Sequence, residues 1–167
     1  GYAFNEWNQL VKTCKGKGFT KQSVEKSGLF INSDKGIFDR FRSRIMFPIH
    51  HLSGKTIGFG ARIFEIEDPA KYINSSDSPV YKKSDVLYGL KDSRNSILKE
   101  GYAILVEGYM DFLQLYQAEI YPVVAVSGTA FTERHALAVK RITKKVILLY
   151  DGDDAGGNAV IKAGWVC

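Results

Sequence analysis

Hydrophobic patterning divides the chain near residue 100. Beyond that point, short apolar runs alternate with stretches of helical periodicity. Tyr102–Val106 precedes a helical stretch from about Met110 to Ala118, and Val123–Val126 precedes a helix that Thr132 can cap, running to about Ile142. Val146–Tyr150 precedes a stretch from Ala155 to Trp165 that reads as a third helix. Apolar runs without polar alternation belong to strands buried on both faces, so three of them spaced by helices predict a parallel sheet with right-handed crossovers. Before residue 100 the pattern is mixed. Asn5 is placed to cap a helix through about Cys14 with Trp7, Leu10 and Val11 on its apolar face, and Thr20 to cap a second helix ending at Gly28. Phe38–Ile49 and Lys55–Phe64, joined at Ser53-Gly54, predict a β-hairpin. Residues 65–85 are rich in turn chemistry and predict an irregular surface segment. The expected fold is therefore α/β: a parallel sheet with flanking helices over 101–167, preceded by a mixed α+β subdomain over 1–100.

Composition sharpens this division. The chain is 45% hydrophobic and 25% charged, enough to bury one ordinary core or two small ones. No apolar run approaches the ~20 residues of a membrane span, and no secretion signal opens the chain, which reads as cytoplasmic with no membrane partner. Cys14 and Cys167 lack CxxC spacing, and His50, His51 and His135 make no ligand pattern with them, so reduced thiols and no zinc site are expected. Residues 1–100 hold 17 Lys/Arg against 11 Asp/Glu, whereas residues 101–167 hold 6 against 7. A basic half fits a polyanionic partner.

The acids of the second half lie where ligands gather in open parallel sheets, at the carboxyl ends of strands. Glu107 follows the first apolar run, Asp151 the third, and Asp153 comes two residues later in Asp151-Gly152-Asp153. If the first and third strands are neighbours, these three carboxylates converge. Their mutual repulsion would then call for a divalent cation, Mg²⁺ or Mn²⁺ rather than zinc given oxygen ligands alone. Taken singly, Glu107 also fits a helix N-terminal charge, and Asp151-x-Asp153 a turn or cap. Arg40, Arg42 and Arg44 alternate with apolar residues, so a strand would place all three on one face, facing an anionic partner or guarding a solvated edge.

Val106-Glu107-Gly108-Tyr109-Met110-Asp111 and Tyr150-Asp151-Gly152-Asp153-x-Ala155-Gly156 resemble the two acidic motifs of the TOPRIM fold in the form found in bacterial, DnaG-type primases. Arg40 to Ile49, Gly58-Phe59-Gly60-Ala61-Arg62, Lys71-Tyr72-Ile73-Asn74-Ser75 and Leu87-Tyr88-Gly89-Leu90 resemble stretches of that family's polymerase core, in the same order. The resemblance implies template-directed synthesis of short RNA primers on single-stranded DNA from nucleoside triphosphates. In it Glu107, Asp151 and Asp153 bind Mg²⁺ or Mn²⁺, and Asp111 acts beside them. It implies a basic groove of Arg40, Arg42, Arg44, Arg62, Lys71, Tyr72, Asn74 and Lys83 for template and nucleotide, with Tyr72 able to stack on a base. It also implies a replicative helicase and a single-strand-binding protein as partners.

Family members further carry a zinc ribbon before this region. After it come a third acidic pair, a helical part and a helicase-binding domain, so the chain is expected to be a piece of a longer protein, weak or inactive alone. Another TOPRIM enzyme such as a nuclease, or a non-catalytic nucleic-acid-binding module, would share the same motifs.

Overall fold

The structure is a computed structural model that describes residues 1–65 and 67–166; the expectation for the Cys167 thiol lies outside them. Two compact units emerge, one made of Gly1–Ile49 and Thr56–Lys82, the other of His50–Lys55 and the chain from Lys83 on.

The first unit carries β1 (Tyr2–Ala3), α1 (Gln9–Gly16), α2 (Lys21–Lys26), β2 (Phe30–Ser33), β3 (Gly36–Asp39), β4 (Arg44–His50), β5 (Thr56–Ile63) and β6 (Tyr72–Asn74). One sheet runs β1-β4-β5-β6, and β2 and β3 pair as a separate hairpin. The expected β4–β5 hairpin is present, but its first strand starts at Arg44 rather than Phe38, leaving Arg40 and Arg42 outside it. The three arginines therefore do not alternate along one strand. Helix α1 starts three residues later than a cap at Asn5 predicts, with Asn8 in the cap position, because its first turn is held from a distance. The buried Asp39 carboxylate accepts from Leu10 N at 2.7 Å and Val11 N at 3.0 Å, satisfying amides that a local cap would otherwise serve. Thr20 does cap α2, accepting from Ser23 N at 3.2 Å. Within the segment expected to be irregular, Tyr72–Asn74 adds an edge strand to β5, in register Arg62↔Tyr72 and Gly60↔Asn74.

In the second unit, a 3-10 turn at Lys83–Asp85 leads to α3 (Leu90–Glu100), β7 (Ala103–Val106), α4 (Tyr109–Gln117), β8 (Val123–Ala125), α5 (Glu133–Lys140), β9 (Val146–Leu148) and α6 (Asp154–Val166). The sheet is parallel with β7 central, in the order β8-β7-β9. Alternate residues of the inner strands serve two cores, as a doubly covered sheet requires. Leu105 and Val124 pack with Leu90, Ile97, Val139 and Ala163 from α3, α5 and α6. Val106, Val123 and Ala125 pack with Phe112 of α4 on the other face. Helix α3 is a finding the patterning misses. Its buried stripe is Leu90, Ser93 and Ile97, and a serine at the middle position hides the i, i+3, i+7 period. Gly89 precedes it with φ 79°, and a Cβ there would lie 2.0 Å from the Phe112 ring, so both backbone and packing call for glycine.

His135 is fully buried at the start of α5, and desolvation holds its pKa below the ordinary value of 6.5. A histidine buried in its neutral form binds fewer protons than the unfolded chain as pH falls below 6.5. Stability is therefore full above that value and declines as pH drops towards the lowered folded value, by at most about 1.4 kcal/mol per pH unit. Chemical denaturation between pH 7 and 5 is expected to show this slope for the native chain and a smaller one for His135→Gln.

Candidate active site

Strand β7 is the hub of the site. Its neighbour β9 is registered Leu105↔Leu148, so the residues leaving both carboxyl ends emerge side by side. The Asp151 amide donates to Glu107 Oε1 at 3.0 Å. Asp111 Oδ2 accepts from Gly108 N at 2.8 Å and thereby holds the first turn of α4. Asp153 Oδ1 accepts from Gly156 N at 2.7 Å and does the same for α6. Glu107, Asp111, Gln114, Tyr150 and Asp151 line one open cavity of about 220 Å³ together with Val106, Leu115 and Leu149.

The carboxylates of Glu107, Asp111 and Asp153 thus each have a backbone N–H partner, the arrangement expected when acids sit at strand ends and helix N-termini. Among the described residues, no three carboxylate, histidine or cysteine side chains stand together as a ready ligand set. Convergence of all three predicted acids is therefore not what the structure displays. Glu107 meets the Asp151 backbone, while the Asp153 carboxylate is turned into its own helix. Like charges with backbone donors at hand relax towards those donors rather than towards one another. The donor set itself, carboxylate oxygens at the ends of two adjacent strands, fits a hard divalent cation.

Gly156 is the contributor that sequence reasoning undervalues. A Cβ there would sit 2.0 Å from the Asp151 carbonyl oxygen. The glycine lets α6 begin against the backbone of Asp151, and its amide holds Asp153, so it couples both acids of the motif.

The basic residues divide by unit. In the first unit, Arg40, Arg42 and Arg44 line a single cavity of about 410 Å³ with Asn5, Trp7 and Asp68. They meet there without sharing a strand. Arg40 Nε donates to the Asn74 carbonyl at 2.6 Å, and burial lowers its pKa, although an arginine stays a cation. Arg42 donates to the Asp39 carbonyl and lies 4.1 Å above the Trp7 ring. Because α1 starts at Gln9, Trp7 is not on a helix face as expected; it remains 58% exposed. Arg44 is committed internally: its guanidinium, 4% exposed, donates to Ala70 O at 2.9 Å and pairs with Asp68 at 2.8 Å. Arg62 stands 6.0 Å over the Tyr72 ring across the β5–β6 pair, with its buried Nε lacking a hydrogen-bond partner among the described residues. Lys71 is exposed and adjoins Tyr72, which is 39% exposed. Lys83 belongs to the second unit, where its carbonyl meets His135 Nε2 at 3.3 Å.

Residues 1–94 match the model of the DNA primase catalytic core, N-terminal domain. The chain belongs to this family. Residues 104–164 match a Toprim-like model as well. A DNA primase of Clostridium acetobutylicum is 41% identical over 162 residues, which are 97% of this chain and 27% of that protein. The chain thus spans about a quarter of the length of that curated relative. A crystal structure of a DNA primase domain from Pseudomonas aeruginosa superposes with a TM-score of 0.90 at 38% identity, covering 98% of this chain and 51% of that one. A DnaG primase catalytic domain bound to single-stranded DNA superposes with a TM-score of 0.86 at 37% identity, covering 96% of this chain and 50% of that one. The fold is that of the DnaG catalytic core with its Toprim sheet.

Two consequences follow for stability and site geometry. Replacing Arg44 with Met leaves two carbonyls and the partly exposed Asp68 carboxylate without their cation, and is expected to destabilise the first unit by about 1–2 kcal/mol, read from denaturant unfolding. Gly156→Ala should push α6 off the Asp151 backbone, so that amide exchange rises at Asp151 and Gly156 while α4 stays protected.

Proposed function

We propose that this chain is the catalytic part of a primase, a nucleotidyltransferase that joins ribonucleotides on a single-stranded DNA template to form short RNA primers. The observation that carries the reading is the meeting of Glu107 with the Asp151 backbone at the carboxyl edge of β7 and β9, in a chain of the primase core family. Glu107, Asp151 and Asp153 are the residues that would hold Mg²⁺ or Mn²⁺. When bound, such an ion supplies charge neutralisation to the triphosphate and lowers the pKa of the attacking hydroxyl. The protein's own residues prepare that chemistry. Asp111 fixes the start of α4 behind Glu107, and Gly156 sets the approach of α6 to Asp151. Recruiting Asp153 as a ligand gives up its helix cap, worth about 1 kcal/mol, so metal affinity in this chain alone is expected to be modest.

In the same reading, the first unit binds the polyanion. Arg40 and Arg42 offer cationic groups around one cavity, Arg62 presents a buried donor with no partner among the described residues, and Tyr72 is exposed beside Lys71 for stacking on a base. Asn74 contributes by holding Arg40, and Arg44 by fixing the segment before β6. Lys83 is assigned to nucleotide or template phosphate. The single-stranded DNA held by the related DnaG catalytic domain supports template binding by this region. Helicase and single-strand-binding partners, and a cytoplasmic setting, rest on the family resemblance. Among the described residues, no helix is long and apolar enough to cross a membrane.

Titration of Mn²⁺ into the chain, with and without Glu107→Gln, tests the site. The native chain should bind with a dissociation constant that the substitution raises at least about tenfold, the loss of one charged ligand. Equal binding by both would remove Glu107 from the site. In parallel, Arg62→Ala should weaken binding of an oligothymidylate and reduce its salt slope by about one unit. An unchanged slope would take Arg62 out of the proposed interface.

A further inference from the structure

Three side chains at the N-terminus of α5 reach the 3-10 turn at Lys83–Asp85, and each takes a different residue of it. Thr132 Oγ1 donates to the Ser84 carbonyl at 2.7 Å, Arg134 pairs with Asp85 at 2.9 Å, and His135 Nε2 lies 3.3 Å from the Lys83 carbonyl. The first two contacts are exposed. The third is made by a side chain with no accessible surface, packed beside the Phe131 ring at 5.9 Å. The Thr132 backbone N–H points at His135 Nδ1 at 3.3 Å, so Nδ1 must accept, and the single imidazole proton must sit on Nε2, where it donates to Lys83. The two ring nitrogens therefore have separate tasks: Nδ1 closes the first turn of α5, and Nε2 holds the peptide of Lys83.

We propose that His135 is a positioning residue for Lys83, fixing its backbone so that the lysine ammonium is presented in one place to a nucleotide or template phosphate. The inference rests on the assignment of Lys83 made above and adds to it the group that organises it. A long, rotamer-rich side chain on an unanchored turn loses more freedom when it engages a phosphate, and anchoring the backbone beforehand removes part of that loss. A buried imidazole N–H needs an acceptor whatever its role, and here that acceptor lies outside the helix. The ring reaches outside the helix to the backbone of both Lys83 and Val86, and Lys83 is the residue of the turn whose side chain is a cation.

The two tasks can be separated by substitution. The amide of Asn places an oxygen where Nδ1 stood but is too short to reach Lys83, whereas Gln extends a donor to the Nε2 position. Binding of a labelled oligothymidylate should be compared for the native chain, Lys83→Ala, His135→Asn, His135→Gln and the Lys83→Ala/His135→Asn double variant, with amide exchange followed at residues 83–85.

Lys83→Ala and His135→Asn are each expected to weaken binding about 3- to 10-fold, the range set by ordering one long side chain. His135→Gln should recover most of the affinity, and the double variant should bind no more weakly than Lys83→Ala. Exchange at 83–85 should rise in His135→Asn alone of the two histidine variants. Additive losses in the double variant, or unaltered exchange at 83–85 in a folded His135→Asn, would overturn the inference while leaving the Lys83 assignment intact. Native affinity in Lys83→Ala would instead remove that assignment and this inference with it. Should His135→Asn fail to fold, the imidazole ¹⁵N shifts of the native chain decide: a proton on Nδ1 rules the arrangement out.

Discussion

Parallel pairing of β7 with its two neighbours is the constraint on which the second unit depends. A central strand whose side chains are buried alternately in two cores has no solvent face on which to carry chemistry. Polar function is pushed to its end, where the chain must turn and where helix N-termini offer unpaired amides. Glu107, Asp111, Asp151 and Asp153 all occupy such turns or first helical turns, and the carboxylates of Glu107, Asp111 and Asp153 each accept from an amide there before any ligand is considered. The acidic motifs are thus as much a product of how parallel strands end as of the reaction they are proposed to serve.

The first unit solves a different problem. Its strands form an open sheet, and its arginines enter one cavity from segments that share no single strand. They differ in freedom. Arg44 is held by backbone carbonyls and Asp68, Arg40 by one carbonyl, and Arg42 by the Trp7 ring and a carbonyl. Cations anchored this way keep their charge while losing little entropy on meeting an anion. Anchoring also means that substituting them disturbs packing as well as charge.

Legibility in the sequence followed the strength of the periodic signal. The three apolar runs of the second half and the helices between them were readable from the alternation of apolar stretches with helical periods, and the Thr20 and Thr132 caps from the local chemistry of a hydroxyl before a helix. Helix α3 was not, since Ser93 occupies a buried position that a hydrophobic residue would normally mark. The start of α1 and the loss of alternation at Arg40 and Arg42 share one cause: Asp39 and its neighbours make contacts distant in sequence, which no local window contains. The adjacency of β7 and β9 was posed as a condition and is met. The orientation of Asp153 depends on an amide five residues past Asp151, at Gly156, and only coordinates reveal it.

The lateral position of β9 has a further consequence. Among the described residues it pairs on one side only, and Ile147 in its middle and Leu149 just past its end are each about half exposed, at 49% and 50%. Unpaired backbone donors and acceptors flanked by β-branched and aliphatic side chains are a template for another strand. Such a border favours pairing with a further strand, and because Leu149 also lines the acidic cavity, whatever covers the border also bounds that cavity. A charged substitution at Ile147 is the natural means of discouraging such pairing in solution.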